Sequence, residues 1–324
     1  MYYLKIVRIQ NLLFIILIQY IISQFVLNPL LLAHGFNIAT DSFPLILLII
    51  ATVFIAAGGY VLNDYFDQKI DIINKPNRVI VGRDISQRQA MLLHQILTAV
   101  GVLSGLWLSL QIKSATMAFI MVVVPGLLWF YSASYKRQLI IGNVVVAFVA
   151  SLSVLLVGYT EVALLSLHFS DLVYSTNLPR EIYGWTAGFA VFAFLLTWIR
   201  EIIKDMQDER GDRELECHTM PIVWGRLKTL LFLAVLIVLT ILMLLFANHH
   251  FIRFETKLSM YYFLCGICLP LCILFLLLIR ARKPEDYRAA SRLVKFVMFV
   301  GVLYAPIFAW LMSEQYGFNL LQLF

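Results

Sequence analysis

Charge is scarce in this chain: only 14% of its 324 residues are Asp, Glu, Lys or Arg, where an ordinary soluble domain carries about 25%. That scarcity excludes a soluble protein with a fully solvated surface. Cysteine is scarcer still. Cys217, Cys265, Cys268 and Cys272 are all there are, and the last three fall in one apolar stretch at helical spacing. Packing as small hydrophobes accounts for them, so neither a disulfide framework nor a redox pair is expected. Polar linkers and low-complexity segments are missing too, and nothing divides the chain into modules. Lys5 and Arg8 precede an apolar run that is too long for a signal peptide and lacks a small-residue cleavage site, so that run is read as a retained helix.

Hydrocarbon is what the chain has in abundance. Hydrophobic residues make up 61% of it, with a mean hydropathy of +0.87. The class this implies is all-α: a polytopic membrane helix bundle forming a single integral membrane domain over residues 1–324. Apolar runs of about 17–25 residues can cross a bilayer. Nine occur, near 11–32, 43–62, 91–111, 115–134, 139–160, 184–203, 229–247, 259–279 and 294–312. With the N-terminus in the cytoplasm and the spans alternating, 21 of the 25 Lys and Arg residues fall on the cytoplasmic side. The other side keeps only Lys113, Arg180, Arg253 and Lys257. This positive-inside bias supports nine spans and explains the net charge of +6 without a nucleic-acid partner. The expected location is the plasma membrane of a prokaryote.

Against this background two acidic clusters stand out. "NDYFDQKID" follows span 2 and holds Asn63, Asp64, Asp67 and Asp71; "KDMQDERGD" follows span 6 and holds Asp205, Asp208 and Asp212. Both sets of aspartates have offsets 0, 3 and 7, which share one face if the helix runs on past the membrane. Span 2 and span 6 run in the same direction, so the chain reads as two four-helix units plus a ninth helix, with both clusters at the cytoplasmic mouth. Carboxylates there point to function. Hard cations such as Mg²⁺ take one or two carboxylates together with substrate phosphates, so the six aspartates suggest Mg²⁺ ions holding a polyphosphate. Cationic partners available on the same side are Arg78, Lys136, Arg137, Arg200 and Lys204. Lys136 closes "LLWFYSASYKR", with Tyr131, Ser132 and Tyr135 one or two turns back, and would meet phosphate as a point charge.

These motifs resemble the UbiA superfamily of intramembrane prenyltransferases. N-D-x-x-D-x-x-x-D is present at Asn63 to Asp71, Y-S-x-x-x-K-R at Tyr131 to Arg137 with Gly142-Asn143 behind it, and the second acidic signature at Asp205 to Asp212. "HTMPIVWG", His218 to Gly225, is similar to the tail that follows in the family. The resemblance runs from about residue 10 to 315. One departure is "RVIVGRDIS", Arg78 to Ser86, where many relatives read R-P-I-x-S-G. Within the superfamily "REIIKDMQDERGD" looks most like the branch that makes archaeal-type ether lipids, the digeranylgeranylglyceryl phosphate synthases.

The resemblance implies a Mg²⁺-dependent transfer from a prenyl diphosphate, geranylgeranyl diphosphate in that branch, to a lipid-like acceptor. Asp64, Asp67, Asp71, Asp205, Asp208 and Asp212 would hold the metal, with Asn63 fixing the first cluster. Lys136, with Arg78 or Arg200, would take charge on the departing diphosphate. Tyr131, Tyr135 or Phe66 would offer π faces to the allylic cation. Transfer to an aromatic acceptor, 4-hydroxybenzoate or a dihydroxynaphthoate, needs the same metal site and a different second pocket. A cation transporter fits less well, because transport sites lie near the bilayer midplane and these carboxylates lie at one mouth.

Overall fold

A computed structural model describes residues 2–36, 42–74, 76, 79–252 and 254–320. Among these residues the chain is all-α, with nine helices long and apolar enough to cross a membrane. They are α1 (Ile9–Ala33), α2 (Phe43–Phe66), α3 (Gln87–Gln111), α4 (Ala115–Ala133), α5 (Ile141–Phe169), α6 (Leu178–Glu214), α7 (Gly225–His250), α8 (Leu258–Arg280) and α9 (Pro284–Tyr316). Each expected span is found, and most reach beyond their apolar run. In α6 the extension is large, because the Arg, Glu, Lys, Met and Gln residues after Trp198 are good helix formers and the helix does not stop where its hydrocarbon does. α1 and α8 each carry one π turn, Ser23–Leu27 and Leu264–Cys268. Pro29 and Pro270 follow directly. A proline ring clashes with the carbonyl four residues back and lacks an N–H, and a widened turn accommodates both defects.

Each helix divides into a buried stripe and an apolar outer stripe. In α7, Thr229, Leu233, Leu236, Ile237, Thr240 and Leu244 face the bundle, whereas Leu227, Leu231, Val235, Val238 and Leu242 are exposed. The outer stripe suits hydrocarbon and not water, as an integral membrane protein requires. α2 packs chiefly against α3, and α6 against α5 and α9. The α2–α3 contact is made close by Gly101. A Cβ there would stand 2.9 Å from the Ala51 carbonyl oxygen and from the Ile55 nitrogen, so any larger residue would push two backbones apart. The two four-helix units are therefore not packed alike: the acidic helix of the first pairs with its successor, and that of the second with its predecessor.

A second, small core lies at the acidic end of α2. Ile6, Val61, Val81, Ile85 and Ala90 are buried together. They seat the short helix Tyr2–Ile6 against α2. Arg8 then takes a left-handed conformation, φ 53° and ψ 56°, to turn the chain into α1. For a residue with a Cβ this costs about 1–2 kcal/mol, and it brings the guanidinium to the acidic site. The segment that departs from the family pattern forms a tight turn: Gly82 has φ 88°, and its N–H donates to the Ile85 carbonyl at 2.8 Å. Ser86 then caps α3 through a capping box with Gln89.

Candidate active site

Both acidic clusters line one cavity of about 1250 Å³, larger than the roughly 300–1,000 Å³ of ordinary ligand clefts. Its head holds Asn63, Asp64, Asp67, Asp71, Lys136, Asp205, Asp208 and Asp212, and its body runs into the bundle along Ile18, Ile55, Met121, Val124, Leu128 and Val154. A polar mouth above an apolar shaft is the shape required by a molecule with a charged head and a hydrocarbon tail.

The first cluster does not lie on one straight helix. α2 ends at Phe66, Asp67 has φ −90° and ψ 2°, and a new helix runs over Gln68–Asn74. The i→i−4 register nevertheless survives the break, since the Asp67 N–H donates to Asn63 and the Asp71 N–H to Asp67. All three aspartates therefore still reach the cavity. The buried carboxylate of Asp67 accepts from Asn63 Nδ2 at 2.7 Å and pairs with Lys136. Burial works against the Lys136 ammonium, but the Asp67 carboxylate outweighs it, with Asp71 adding, and its pKa stands above the ordinary lysine value. Asp64 pairs with Arg8 at 2.8 Å. Arg8 also stacks over the Tyr60 ring, 4.9 Å from its centroid.

The turn Tyr135–Arg137 that carries Lys136 is held from two sides. Gly142 has no room for a Cβ, which would stand 2.7 Å from the Tyr135 carbonyl oxygen. The His218 N–H donates to the Arg137 carbonyl at 2.8 Å, so the tail behind the second cluster fixes the lysine that faces the first. The second cluster does lie on one continuous helix. Asp205 accepts from Asn143 Nδ2 at 2.8 Å, and Asp212 is buried. The two clusters are joined by Asn74. Its Nδ2 donates to the Asp208 carbonyl at 2.9 Å and its Oδ1 accepts from the Gly211 N–H at 2.9 Å.

Tyr131, Arg137, Arg200 and Lys204 also line the cavity. Arg78 lies outside the described residues. Tyr135 is not in the cavity wall; it stacks on Phe130 with ring centroids 6.1 Å apart. Phe66 also points elsewhere, edge-on to Tyr65 and Trp129. Arg8, Tyr60, Asn74, Glu201 and Lys295 were not anticipated from the sequence as site residues. Arg8 and Lys295 looked like ordinary positive-inside residues, and Glu201 was read only as part of a family motif. For Asn74 there was a signal, its place in "NKPNR" directly behind the first cluster, but its partners are 134 and 137 residues away.

The six aspartates supply hard oxygen donors at one cavity head. Among the described residues no three Asp, Glu, His or Cys side chains converge closely enough to cage an ion unaided. Magnesium does not need such a cage, since it binds through one or two carboxylates and completes its shell with water and substrate phosphate oxygens. The donor set fits Mg²⁺ arriving with a diphosphate, and not a resident structural metal.

Comparison with known proteins agrees with this geometry. A digeranylgeranylglyceryl phosphate synthase from Methanosphaera stadtmanae is 33% identical over 190 residues, covering 58% of this chain; the chain spans 61% of that relative's length. A solved structure giving structural and mechanistic insights into digeranylgeranylglyceryl phosphate synthase in membranes superposes with a TM-score of 0.62 at 23% identity, over 95% of this chain and 97% of that one. A UbiA homologue from Archaeoglobus fulgidus, solved bound to GPP and Mg²⁺, superposes with a TM-score of 0.57 at 14% identity, over 95% of this chain and all of that one. At these identities the structures speak for the fold. The UbiA prenyltransferase family profile matches residues 21–312, most of the chain, and by that match this protein belongs to the UbiA family of prenyltransferases.

Proposed function

We propose that this enzyme transfers a geranylgeranyl group from geranylgeranyl diphosphate to the free hydroxyl of geranylgeranylglyceryl phosphate, with Mg²⁺, and releases diphosphate. The observation that carries this reading is the meeting of the two carboxylate clusters, bridged by Asn74, at the head of one apolar cavity. The name of the Methanosphaera relative supports the acceptor, and the ligands of the Archaeoglobus homologue support the donor head and the metal.

The chain's own residues do the following. The apolar shaft takes the prenyl tail, worth about 0.8 kcal/mol per buried CH₂, and fixes the allylic carbon beneath the carboxylates. Asp64, Asp67, Asp71, Asp205, Asp208 and Asp212 are the metal-binding set, and Asn63 orients Asp67. Bound Mg²⁺ supplies Lewis-acid neutralisation of the leaving diphosphate. Lys136 holds a fixed positive charge where the diphosphate oxygens gain negative charge. Tyr131 presents its ring to the electron-poor allylic carbon. The acceptor oxygen bonds to that carbon as the carbon–oxygen bond to diphosphate breaks, and the hydroxyl proton passes to the departing diphosphate. The cavity head faces the cytoplasm of a prokaryotic plasma membrane, the side with most Lys and Arg.

The test is a membrane assay with Mg²⁺, labelled geranylgeranyl diphosphate and two acceptor sets. Label passing into a diether phosphate with geranylgeranylglyceryl phosphate supports the reading. Label passing into 4-hydroxybenzoate or dihydroxynaphthoate instead refutes the acceptor assignment while leaving prenyl transfer in place.

A further inference from the structure

The cavity holds a second group of cations that the carboxylate clusters do not use. On α6, Arg200 and Lys204 are one turn apart and form a stripe beside Glu201, Asp205 and Asp208. Arg200 lies five residues, or about 7.5 Å along the axis, deeper than Asp205 and about 12 Å deeper than Asp208. Both cations turn to the same oxygen of the buried Glu201: Arg200 Nη1 reaches Oε1 at 3.0 Å and Lys204 Nζ reaches it at 2.5 Å. Arg200 Nε is buried and, among the described residues, has no hydrogen-bond partner. α9 packs against α6 and brings Lys295, whose Nζ donates, among the described residues, to an amide oxygen, Asn11 Oδ1, at 3.2 Å. Arg8 lies one turn before Asn11. All of these residues line the cavity. Once the six aspartates assigned to the metal are set aside, together with Arg8, which pairs with Asp64, three cations, Arg200, Lys204 and Lys295, stand against one carboxylate, Glu201, and among the described residues one buried guanidinium donor, Arg200 Nε, has no hydrogen-bond partner.

We infer that Arg200, Lys204 and Lys295, braced by Glu201, form a separate anion subsite for the phosphomonoester headgroup of the acceptor, distinct from the diphosphate head at Lys136 and the aspartates. The inference deepens the proposed function and rests on its acceptor class. A phosphomonoester carries about −1.5 to −2 charges near neutral pH, which matches the formal surplus. Its oxygens would supply the acceptor that Arg200 Nε lacks; an unmet buried donor is costly. The separation suits the chemistry too. In a glyceryl phosphate the reacting hydroxyl is on the carbon next to the one bearing the phosphate. Anchoring that phosphate below the carboxylates keeps two anions apart and leaves the hydroxyl between them, facing the allylic carbon. Arg200 and Lys204, which the sequence placed among the partners of the diphosphate, are by this geometry acceptor-binding residues.

The test compares the wild type with Lys295→Gln and Arg200→Gln in the full chain. Lys295 is exposed and makes one side-chain hydrogen bond, to Asn11, so Lys295→Gln is expected to fold and carries the result if Arg200→Gln does not. Removing one charge-assisted contact is expected to raise KM for geranylgeranylglyceryl phosphate by about tenfold or more. KM for geranylgeranyl diphosphate, and kcat/KM for the phosphate-free geranylgeranylglycerol, should stay within about twofold. In parallel, the thermal shift given by geranylgeranylglyceryl phosphate without donor is measured, with inorganic phosphate at equal concentration as control. A shift in the wild type that is lost in Lys295→Gln and not reproduced by inorganic phosphate supports the subsite even if no transfer occurs, in which case only the proposed reaction falls. Transfer with an unchanged acceptor KM in Lys295→Gln overturns the subsite and leaves the reaction standing. A matching rise in donor KM would return these cations to the diphosphate, and an equal shift with inorganic phosphate would make the ligand free phosphate; either overturns the inference.

Discussion

Replacing Asn74 by Ala removes the two hydrogen bonds that tie the first acidic segment to the second. Each neutral hydrogen bond contributes about 0.5–1.5 kcal/mol net, so Asn74→Ala is expected to destabilise the protein by about 1–3 kcal/mol. Gly211→Ala attacks the same contact from the other side. Its Cβ would stand 2.6–2.7 Å from three atoms of the Asn74 side chain, so Asn74 must swing away and both bonds are lost again. Ala is a better helix residue than Gly by about 1 kcal/mol, which offsets part of that loss and leaves Gly211→Ala at about 0–2 kcal/mol. In the double variant the clash has no partner and the bonds are already gone, while the helix gain remains. Asn74→Ala/Gly211→Ala should therefore be more stable than Asn74→Ala alone. Denaturant unfolding of the four proteins in detergent, followed by tryptophan fluorescence, gives the cycle, and diphosphate release gives the activity of each. Because displacements of about 1 Å can cost about 10²-fold in rate, all three variants should be slowed by tenfold or more while still inserting into membranes. Additivity of the two single changes within about 0.5 kcal/mol, or full activity in Asn74→Ala, would refute the bridge.

Three further outcomes follow from the packing. Gly101→Ala should destabilise the protein by about 1–3 kcal/mol, because its Cβ meets backbone atoms of α2 that cannot rotate aside; unchanged unfolding would show that α2 and α3 are further apart. Lys136→Met should lower the rate of diphosphate release with little change in prenyl-tail binding, since Lys136 is held against Asp67 at the cavity head; a normal rate would remove it from the leaving-group site. None of the four cysteines forms a disulfide, and Cys265 and Cys272 face outward from α8. Reductant should leave activity and unfolding unchanged, and mass spectrometry should count four alkylatable thiols after denaturation.

Hydropathy alone located all nine spans, because hydrocarbon must cover each one and the runs are long. Helix ends were less legible. α6 continues to Glu214 on the strength of local helix propensity, and α2 breaks at Asp67 although its register carries on to Asp71. The paired acidic spacing marked two clusters, and both line one cavity. The sequence could not show their connection through Asn74, nor the pairing of Arg8 with Asp64. Those contacts join residues distant in sequence, and a small core around Ile6 seats the segment that carries Arg8. Tyr135 failed as a wall residue for a related reason: Ser134 leaves the helical conformation and the 3₁₀ turn over Tyr135–Arg137 sets the ring against Phe130, a rotation that spacing along a helix does not foresee.

If both carboxylate clusters act as one head for the donor diphosphate, neither can be lost alone without losing the donor. The most direct measurement is Mg²⁺-dependent binding of a non-reacting geranylgeranyl diphosphate analogue to the wild type, Asp64→Ala and Asp208→Ala, each inserted in membranes. Tight binding with Mg²⁺ is expected in the wild type, and loss of the Mg²⁺-dependent part, with abolished prenyl transfer, in both variants. Undiminished Mg²⁺-dependent binding in either variant would contradict the shared head.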